Sequence, residues 1–65
     1  MANSILRLPE VKGRTGLSRS TIYLRIKQGK FPKQINLDGR AAGWIKGEID
    51  QWIDERIEDS RNHVE

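Results

Sequence analysis

The sequence lacks the residues on which several classes of function depend. It has no cysteine and a single histidine, His63, so it offers neither a disulfide framework nor a set of metal ligands. Its apolar runs are all far too short to span a bilayer or to form the core of a signal peptide. We therefore expect a soluble cytoplasmic protein without a metal or other cofactor, stabilised by apolar burial.

The chain is also short, with 65 residues. A domain of this size buries only about 60% of the surface that its unfolded chain exposes, which places it near the lower limit for unaided folding. We expect one compact domain over residues 1–59, followed by a flexible tail over residues 60–65.

Charge is distributed unevenly along the chain. Residues 1–46 hold ten Lys or Arg and two acids, a balance of +8, whereas residues 47–65 hold two Arg and seven acids, a balance of −5. The two balances sum to the net charge of +3. This polarity favours contact between the first two-thirds and a polyanion, although two ordinary solvated faces would give the same distribution.

Two short helices are predicted in the first half. The first begins at Pro9, which favours the first turn of a helix, and ends near Arg14. Gly16 then supplies the positive φ of a tight turn. The second helix begins at the N-cap Ser18 and ends at Gly29, a favourable C-terminal stop. Two short helices joined by a glycine-containing turn indicate a helix-turn-helix.

A β-hairpin is predicted next. Residues 34–37 alternate polar and apolar side chains, and residues 42–45 can return as the second strand. Between them, Asp38 and Gly39 form a strong signal for a two-residue turn. Arg40 then lies near the tip of the hairpin.

A third helix is predicted over residues 48–59, with Gly47 as its N-cap. Its apolar residues recur at helical spacing and define one core-facing stripe: Ile49, Trp52, Ile53 and Ile57. With a strand stub over residues 5–8, the element order is strand stub, helix, turn, helix, hairpin, helix. The predicted fold class is α+β, a small winged helix-turn-helix in which the hairpin is the wing and the C-terminal helix follows it.

The exposed face of the second helix gathers hydrogen-bond donors. A helical wheel places Ile22 and Ile26 inward and Arg19 at the flank near the N-terminus. The residues that it places broadly outward are Ser20, Tyr23, Leu24 and Lys27. A major groove of DNA admits one α-helix, and the N-terminal residues of that helix reach base edges most readily. We therefore assign six candidate recognition residues: Ser18, Arg19, Ser20, Thr21, Tyr23 and Lys27.

These residue types suit the contacts that a recognition helix makes. Arg19 can pair bidentately with guanine, and a tyrosine hydroxyl commonly contacts phosphate. Lys27 and Lys30 would bind the phosphate backbone of the DNA. The alternative is that these cations are solvated surface charges and that Tyr23 packs into the core. Leu24 faces outward, where it can touch a thymine methyl, contact another protein or simply lie exposed.

The hairpin offers a second contact surface. Lys33 leads into it, and Arg40 follows Gly39 at the turn, so that its guanidinium can enter a minor groove. Arg40 can also be an ordinary surface arginine or pair with Asp38. Three further cations are weaker candidates for phosphate contacts: Arg7, Lys12 and Arg14.

Two other groups of residues have alternative interpretations. Trp44 and Trp52 can stack on unpaired bases, but their placement on a strand and on the apolar stripe favours a shared core. Six carboxylates crowd the last helix without a nucleophile or base beside them, as on a solvated face: Glu48, Asp50, Asp54, Glu55, Glu58 and Asp59. The sequence therefore predicts a protein that is not an enzyme.

Several ordered segments of the chain resemble one known family. They are RLPEV at 7–11, TGLSRSTIY at 15–23, GKFPK at 29–33, GW at 43–44 and EIDQWI at 48–53. Together they are similar to the AlpA family of prophage regulators over residues 7–57, with Gly47 departing from the serine-like helix cap frequent in such proteins. The resemblance implies a fold similar to winged-helix excisionases and to the MerR DNA-binding domain. It also implies that residues 18–23 begin the recognition helix and that residues 38–40 form the wing.

Two functional hypotheses of different classes follow. The first is a sequence-specific double-stranded DNA-binding protein of a prophage or genomic island, acting as transcriptional regulator, excisionase or both. The second is an adaptor that docks on an integrase, an RNA polymerase or a response regulator through its acidic helix and Leu24. An RNA binder is a distant third, because no exposed aromatic-rich sheet is predicted. We expect a monomer in solution that assembles cooperatively on DNA in the nucleoid.

Overall fold

The computed structural model describes residues 4–62, so that residues 1–3 and 63–65, including His63 and the end of the predicted tail, lie outside the described part. Six elements follow one another along the chain: β1 (Ile5–Leu6), α1 (Leu8–Thr15), α2 (Arg19–Lys27), β2 (Ile35–Asp38), β3 (Ala41–Ile45) and α3 (Lys46–Asn62). This order confirms the predicted α+β class, with a helix-turn-helix, a hairpin wing and a C-terminal helix.

Short-range hydrogen bonds set the ends of α1. At its beginning the Arg7 N–H donates to the Glu10 carboxylate at 3.0 Å, which supplies half of a capping box. At its end Gly16 has a φ of 73°, as predicted for the turn, and its N–H donates to the Lys12 carbonyl at 2.8 Å. The helix is one residue longer at each end than predicted.

The ends of α2 follow the capping rules that its sequence suggested. The Ser18 hydroxyl accepts a hydrogen bond from the Thr21 N–H at 3.2 Å. At the other end Gly29 has a φ of 75°, and the Lys30 N–H donates to the Arg25 carbonyl at 2.8 Å. This is a Schellman motif, in which a left-handed glycine lets the chain reverse and satisfies the last carbonyls.

The Ser18→Ala substitution is expected to lower the free energy of unfolding by about 1 kcal/mol, because the Thr21 N–H loses its acceptor. Urea denaturation followed by far-UV circular dichroism measures the change. Ser20→Ala is the matched control, since within residues 4–62 the Ser20 hydroxyl has one hydrogen-bond contact, with Ser18 at 3.3 Å. If both variants unfold at the same urea concentration as the wild type, the cap does not stabilise α2.

The three strands form one antiparallel sheet in the order β1-β3-β2. In β1, Ile5 pairs with Ile45 and Leu6 pairs with Trp44. The strand stub predicted at residues 5–8 therefore pairs directly with β3, on the edge opposite β2. Gly43 lies where a side chain would collide with this arrangement, because a Cβ atom there would sit 2.5 Å from the Ile5 Cγ2 atom. The glycine therefore leaves room for the Ile5 side chain against β3.

The hairpin turn lies one residue later than predicted. Gly39 and Arg40 connect the strands, whereas the sequence favoured Asp38 and Gly39 as the turn. The pairing is irregular between Asn36 and Asp38, which leaves Leu37 as an additional residue in β2 and shifts the turn forward. Gly39 adopts a φ of 55°, which suits the first position of a tight hairpin turn. Arg40 therefore occupies the tip, as predicted.

The core contains apolar side chains from five of the elements and from the loop after α2: Leu6, Val11, Ile22, Phe31, Trp44 and Ile49. Trp44 is fully buried, and its indole N–H donates to the Pro32 carbonyl at 3.1 Å. Trp52 is half-buried with its ring edge against Phe31, and its indole N–H donates to the Lys30 carbonyl at 2.8 Å. Both tryptophans thus belong to the core, which confirms that prediction, and both fasten the loop between α2 and β2.

Helix α3 starts and ends at different residues than predicted. It begins at Lys46, directly after β3, so Gly47 lies inside the helix and the predicted N-cap is wrong. The Lys46 N–H donates to the Ser4 carbonyl at 2.8 Å, so the segment before β1 satisfies the first amide of the helix. The helix continues through residues 60–62, which were assigned to the tail. Within residues 4–62, no helix has the length and apolar character needed to cross a membrane.

Only the first half of the predicted α3 stripe reaches the core. Ile49 is fully buried, Trp52 and Ile53 are half-buried, and Ile57 is 44% exposed. The spacing of the stripe is helical as predicted, but α3 extends beyond the elements that pack against it. The placement of Ile57 in the core is therefore wrong.

Asp50 links the first turns of α3 to α1. The Lys46 ammonium donates to this carboxylate at 2.8 Å, and the Arg14 guanidinium lies 3.6 Å away. The hydrogen bond from Lys46 holds the pKa of Asp50 below its ordinary value; partial desolvation opposes this, and the charges of Lys46 and Arg14 assist it.

This lowered pKa gives stability a dependence on acid. A carboxyl group whose pKa is lower in the folded chain stabilises the fold above its unfolded pKa and loses that contribution as pH falls through the folded value. Asp50→Asn is therefore expected to flatten the fall in the urea midpoint between about pH 5 and pH 2. Asp54→Asn, which removes a carboxylate without an ion pair inside residues 4–62, is the control. Identical acid profiles for wild type and Asp50→Asn would contradict the assignment.

Candidate nucleic-acid interface

Helix α2 buries one face and leaves the other open. Ile22 is fully buried and Ile26 packs against the core, as the helical wheel predicts. Lys27 and Leu24 are exposed on the other side, with Leu24 54% exposed, and Arg19 is exposed at the N-terminal end of the helix. The helix therefore presents a cationic surface with one apolar residue near its middle.

Tyr23 does not face outward as the wheel predicted. Its ring is half-buried and meets Trp44 edge-on, with 6.2 Å between the ring centroids. The Arg19 guanidinium lies over the same ring at 5.5 Å from the centroid. The Tyr23 ring packs at the edge of the core because Trp44 provides an apolar contact there. The Tyr23 ring also contacts the Arg19 guanidinium and orients it.

The hydroxyl groups at the start of α2 are largely engaged in capping. Besides accepting from the Thr21 N–H, the Ser18 hydroxyl donates to the Thr21 hydroxyl at 2.9 Å and lies 3.3 Å from that of Ser20. Ser18 and Thr21 thus stabilise the N-terminus of the helix. Arg19 and Ser20 are the exposed polar residues of the first turn.

The wing and the loop before it add further exposed cations. Arg40 stands at the hairpin tip, next to the left-handed Gly39, and Lys30 and Lys33 are exposed in the loop between α2 and β2. Arg40 forms no ion pair with Asp38 or with any other carboxylate of residues 4–62. The structure thus decides against the Asp38 pairing that the sequence left open.

Positive charge without a counterion is concentrated on α2, the following loop and the wing. The ion pairs of the described residues, Arg14–Asp50, Lys46–Asp50 and Arg56–Asp59, all involve carboxylates of α3. Six cations from α2 to the hairpin tip have no carboxylate within ion-pair distance in that part of the chain: Arg19, Arg25, Lys27, Lys30, Lys33 and Arg40. Charges of one sign raise the local potential and attract a polyanion. Arg25, Lys30 and Lys33 share a cleft with Glu48 and Glu55 of α3, which reduces the potential there.

The three weaker candidates separate into engaged and free side chains. The Arg7 guanidinium donates to the Ala42 carbonyl at 3.1 Å, which ties the start of α1 to the wing, and Arg14 is paired with Asp50. Lys12 remains exposed.

Arg25 is a cation that was not among the predicted DNA contacts. Its position in the last turn of α2, beside Lys27, would have indicated it as a candidate. No group of metal-ligating side chains occurs within the described residues.

Two helices joined by a tight turn, followed by a hairpin wing and a third helix, define a small winged helix-turn-helix protein. The family described as Prophage CP4-57 regulatory protein (AlpA) matches residues 4–57, which is most of the chain. The chain therefore belongs to the AlpA family, which confirms the resemblance found in its sequence.

Two relatives extend this result. A protein of Enterobacteria phage P4 named Uncharacterized protein ORF88 is 48% identical over 52 residues, covering 80% of this chain and 59% of the phage protein. The DNA-binding transcriptional activator AlpA of Escherichia coli (strain K12) is 45% identical over 58 residues, covering 80% of this chain and 83% of that protein. The chain thus spans less than two thirds of the phage relative and most of the E. coli relative.

Proposed function

We propose that the chain is a sequence-specific double-stranded DNA-binding regulator of a prophage or genomic island. The observation that carries the proposal is the set of cations without an ion-pair partner from α2 to the hairpin tip. Their charge is opposite to that of the acidic α3. Membership of a family of prophage regulatory proteins and the name of the E. coli relative support it.

In this proposal α2 enters the major groove with its N-terminal turn toward the bases. Arg19 and Ser20 reach base edges, and the ring of Tyr23 holds the Arg19 guanidinium in place from below. Tyr23 thus acts through Arg19, although the sequence suggested a phosphate contact for it. Lys27 at the end of the helix contacts phosphate, which fixes the register of the helix on the duplex.

The wing and its loop make the second contact. Arg40 at the hairpin tip enters the minor groove, where the negative potential is strongest over narrow A·T-rich stretches. Gly39 gives the tip the tight turn that carries Arg40 outward. Lys30 and Lys33 contact the phosphates between the two grooves.

The same binding step serves either transcription or excision. A regulator that binds one promoter site acts on transcription, whereas one that binds several direct repeats bends an attachment site and directs an integrase toward excision. The arrangement of sites in the target DNA therefore separates the two roles. Both roles keep double-stranded DNA as the partner.

The adaptor role is the second candidate, favoured by the exposed carboxylates of α3 and the 54% exposed Leu24. An adaptor docks on an integrase, a polymerase or a response regulator without reading bases. It tolerates Arg19→Ala and Arg40→Ala, whereas a DNA reader does not.

The test is a binding titration of the purified chain against promoter and attachment-site fragments from its own genetic neighbourhood, with excess nonspecific competitor DNA. We expect one fragment to be retained, with the logarithm of affinity falling against the logarithm of salt concentration by about 0.9 per neutralised phosphate. The retained fragment assigns the promoter or the attachment-site role. Binding no stronger than to the competitor would reject the proposal and favour a protein partner.

A further inference from the structure

The distal half of α3 carries an apolar groove that the core does not fill. Its floor is the later part of the α3 stripe, where Ile53 is half-buried and Ile57 is 44% exposed. Three arginines line it, one from α1 and two from α3: Arg14, Arg56 and Arg61. Exposed apolar surface with a polar rim is typical of an interaction site.

The rim and the helix that bears it have complementary charges. Neither Arg61 nor Asp54 has an ion-pair partner inside residues 4–62. On a helical wheel both residues flank the same side of the Ile53 and Ile57 stripe. Arg14 and Arg56 of the rim are paired with Asp50 and Asp59, so Arg61 is the rim cation that remains without a partner in that range. It suits an occupant that brings a carboxylate beside an apolar stripe, as Asp54 does beside Ile53.

We propose that two copies of this chain associate through the distal halves of α3, packed antiparallel with Ile57 close to the two-fold axis. In that arrangement a residue four positions after Ile57 lies level with the residue four positions before it on the second helix. Arg61 is then level with Ile53 of the second copy and beside its Asp54. The two-fold axis repeats this contact, so each dimer has two Arg61–Asp54 pairs across the interface.

The association is weak because the exposed stripe extends over only about two helical turns, below the size of a standard stable interface. A weak dimer remains compatible with the monomer expected in dilute solution and raises the local concentration of a second α2 where DNA holds one copy. This inference concerns an interface on α3 and does not depend on the proposed DNA contacts.

The test uses sedimentation equilibrium of the full chain over a range of concentrations. Arg61→Asp and Asp54→Arg each place like charges across the interface, and each is expected to weaken self-association by about tenfold. An equimolar mixture of the two variants restores association, because every pair in the mixed dimer is again opposite in charge. Circular dichroism checks that both variants keep the wild-type helix content.

The absence of cysteine from the chain allows a second readout. Under mild oxidation Ile57→Cys is expected to form a disulfide-linked dimer, whereas Gln51→Cys on the opposite side of α3 does not. A wild-type chain that sediments as a monomer up to its solubility limit overturns the proposal. A mixture of the two charge variants that associates no better than either alone overturns the antiparallel arrangement.

Discussion

Trp44→Ala is expected to leave most of the chain unfolded at 25 °C. Trp44 is fully buried, its ring meets Tyr23 edge-on, and its indole N–H donates to the Pro32 carbonyl. Truncating a buried tryptophan to alanine costs about 3–5 kcal/mol, and a core in a domain of this size rarely supplies more than about 3–5 kcal/mol. The far-UV circular dichroism spectrum at 25 °C and a urea titration measure the loss.

Two further variants show whether the loss is specific to this site. Trp44→Phe keeps an aromatic ring but removes the hydrogen bond to Pro32, so we expect it to fold with an intermediate urea midpoint. Leu24→Ala changes a side chain that is 54% exposed, and its midpoint should stay close to that of the wild type. A Trp44→Ala protein that unfolds at the wild-type urea concentration would show that the core does not depend on this residue.

Arg19→Ala is expected to weaken binding to the specific DNA fragment by about 1–3 kcal/mol, or roughly 5- to 150-fold, because a base-contacting arginine is lost. Arg56→Ala is an unusually close control. The Arg19 guanidinium lies 5.5 Å from the centroid of Tyr23, and the Arg56 guanidinium lies 5.7 Å from the centroid of Trp52. Each substitution therefore removes one positive charge and one cation–π contact, and Arg56→Ala, in α3, also removes the ion pair with Asp59.

Binding isotherms for the two variants at one salt concentration separate the effects. If α2 reads the bases, Arg56→Ala binds the fragment almost as the wild type does, whereas Arg19→Ala loses specificity. Equal losses in both variants would mean that only net charge matters and that α2 does not read bases. Unchanged affinity for Arg19→Ala would favour the adaptor role.

Local rules predicted the helix-turn-helix closely. The cap at Ser18 and the left-handed conformations of Gly16 and Gly29 depend on residues within about one helical turn, so the sequence contained the necessary information. The hairpin was predicted with a turn one residue early, because the bulge at Leu37 arises from pairing with β3 and has no local signature.

Contacts between distant segments were harder to predict. Nothing near residues 5–8 shows that this stub pairs with β3, and that pairing places the Ser4 carbonyl where it satisfies the first amide of α3. The sequence around Gly47 gave no sign of this contact, and the helix starts before the predicted cap. Ile57 has the correct helical spacing for the core, but spacing alone does not show where the neighbouring elements end.

Some features of the candidate site follow from local sequence, and others depend on contacts between distant segments. The exposure of Lys27 and Arg40 followed from the wheel and the hairpin, and the structure agrees. Arg19, which the wheel put at the flank, is exposed as well. The wheel misplaced Tyr23, because it gives an angle around the helix and not the reach of a large ring toward Trp44. The lack of ion pairs around the six cations became visible only when the positions of the carboxylates were known.

In the proposed complex α2 and the wing face DNA, whereas α3 does not. Backbone amide shifts in the NMR spectrum of the full chain, recorded with and without the retained duplex, test it most directly. We expect the largest shifts at Arg19, Ser20 and Lys27 of α2 and at Gly39 and Arg40 of the wing, with smaller shifts along α3. Shifts concentrated in α3, or no shifts at concentrations that saturate the duplex, would contradict it.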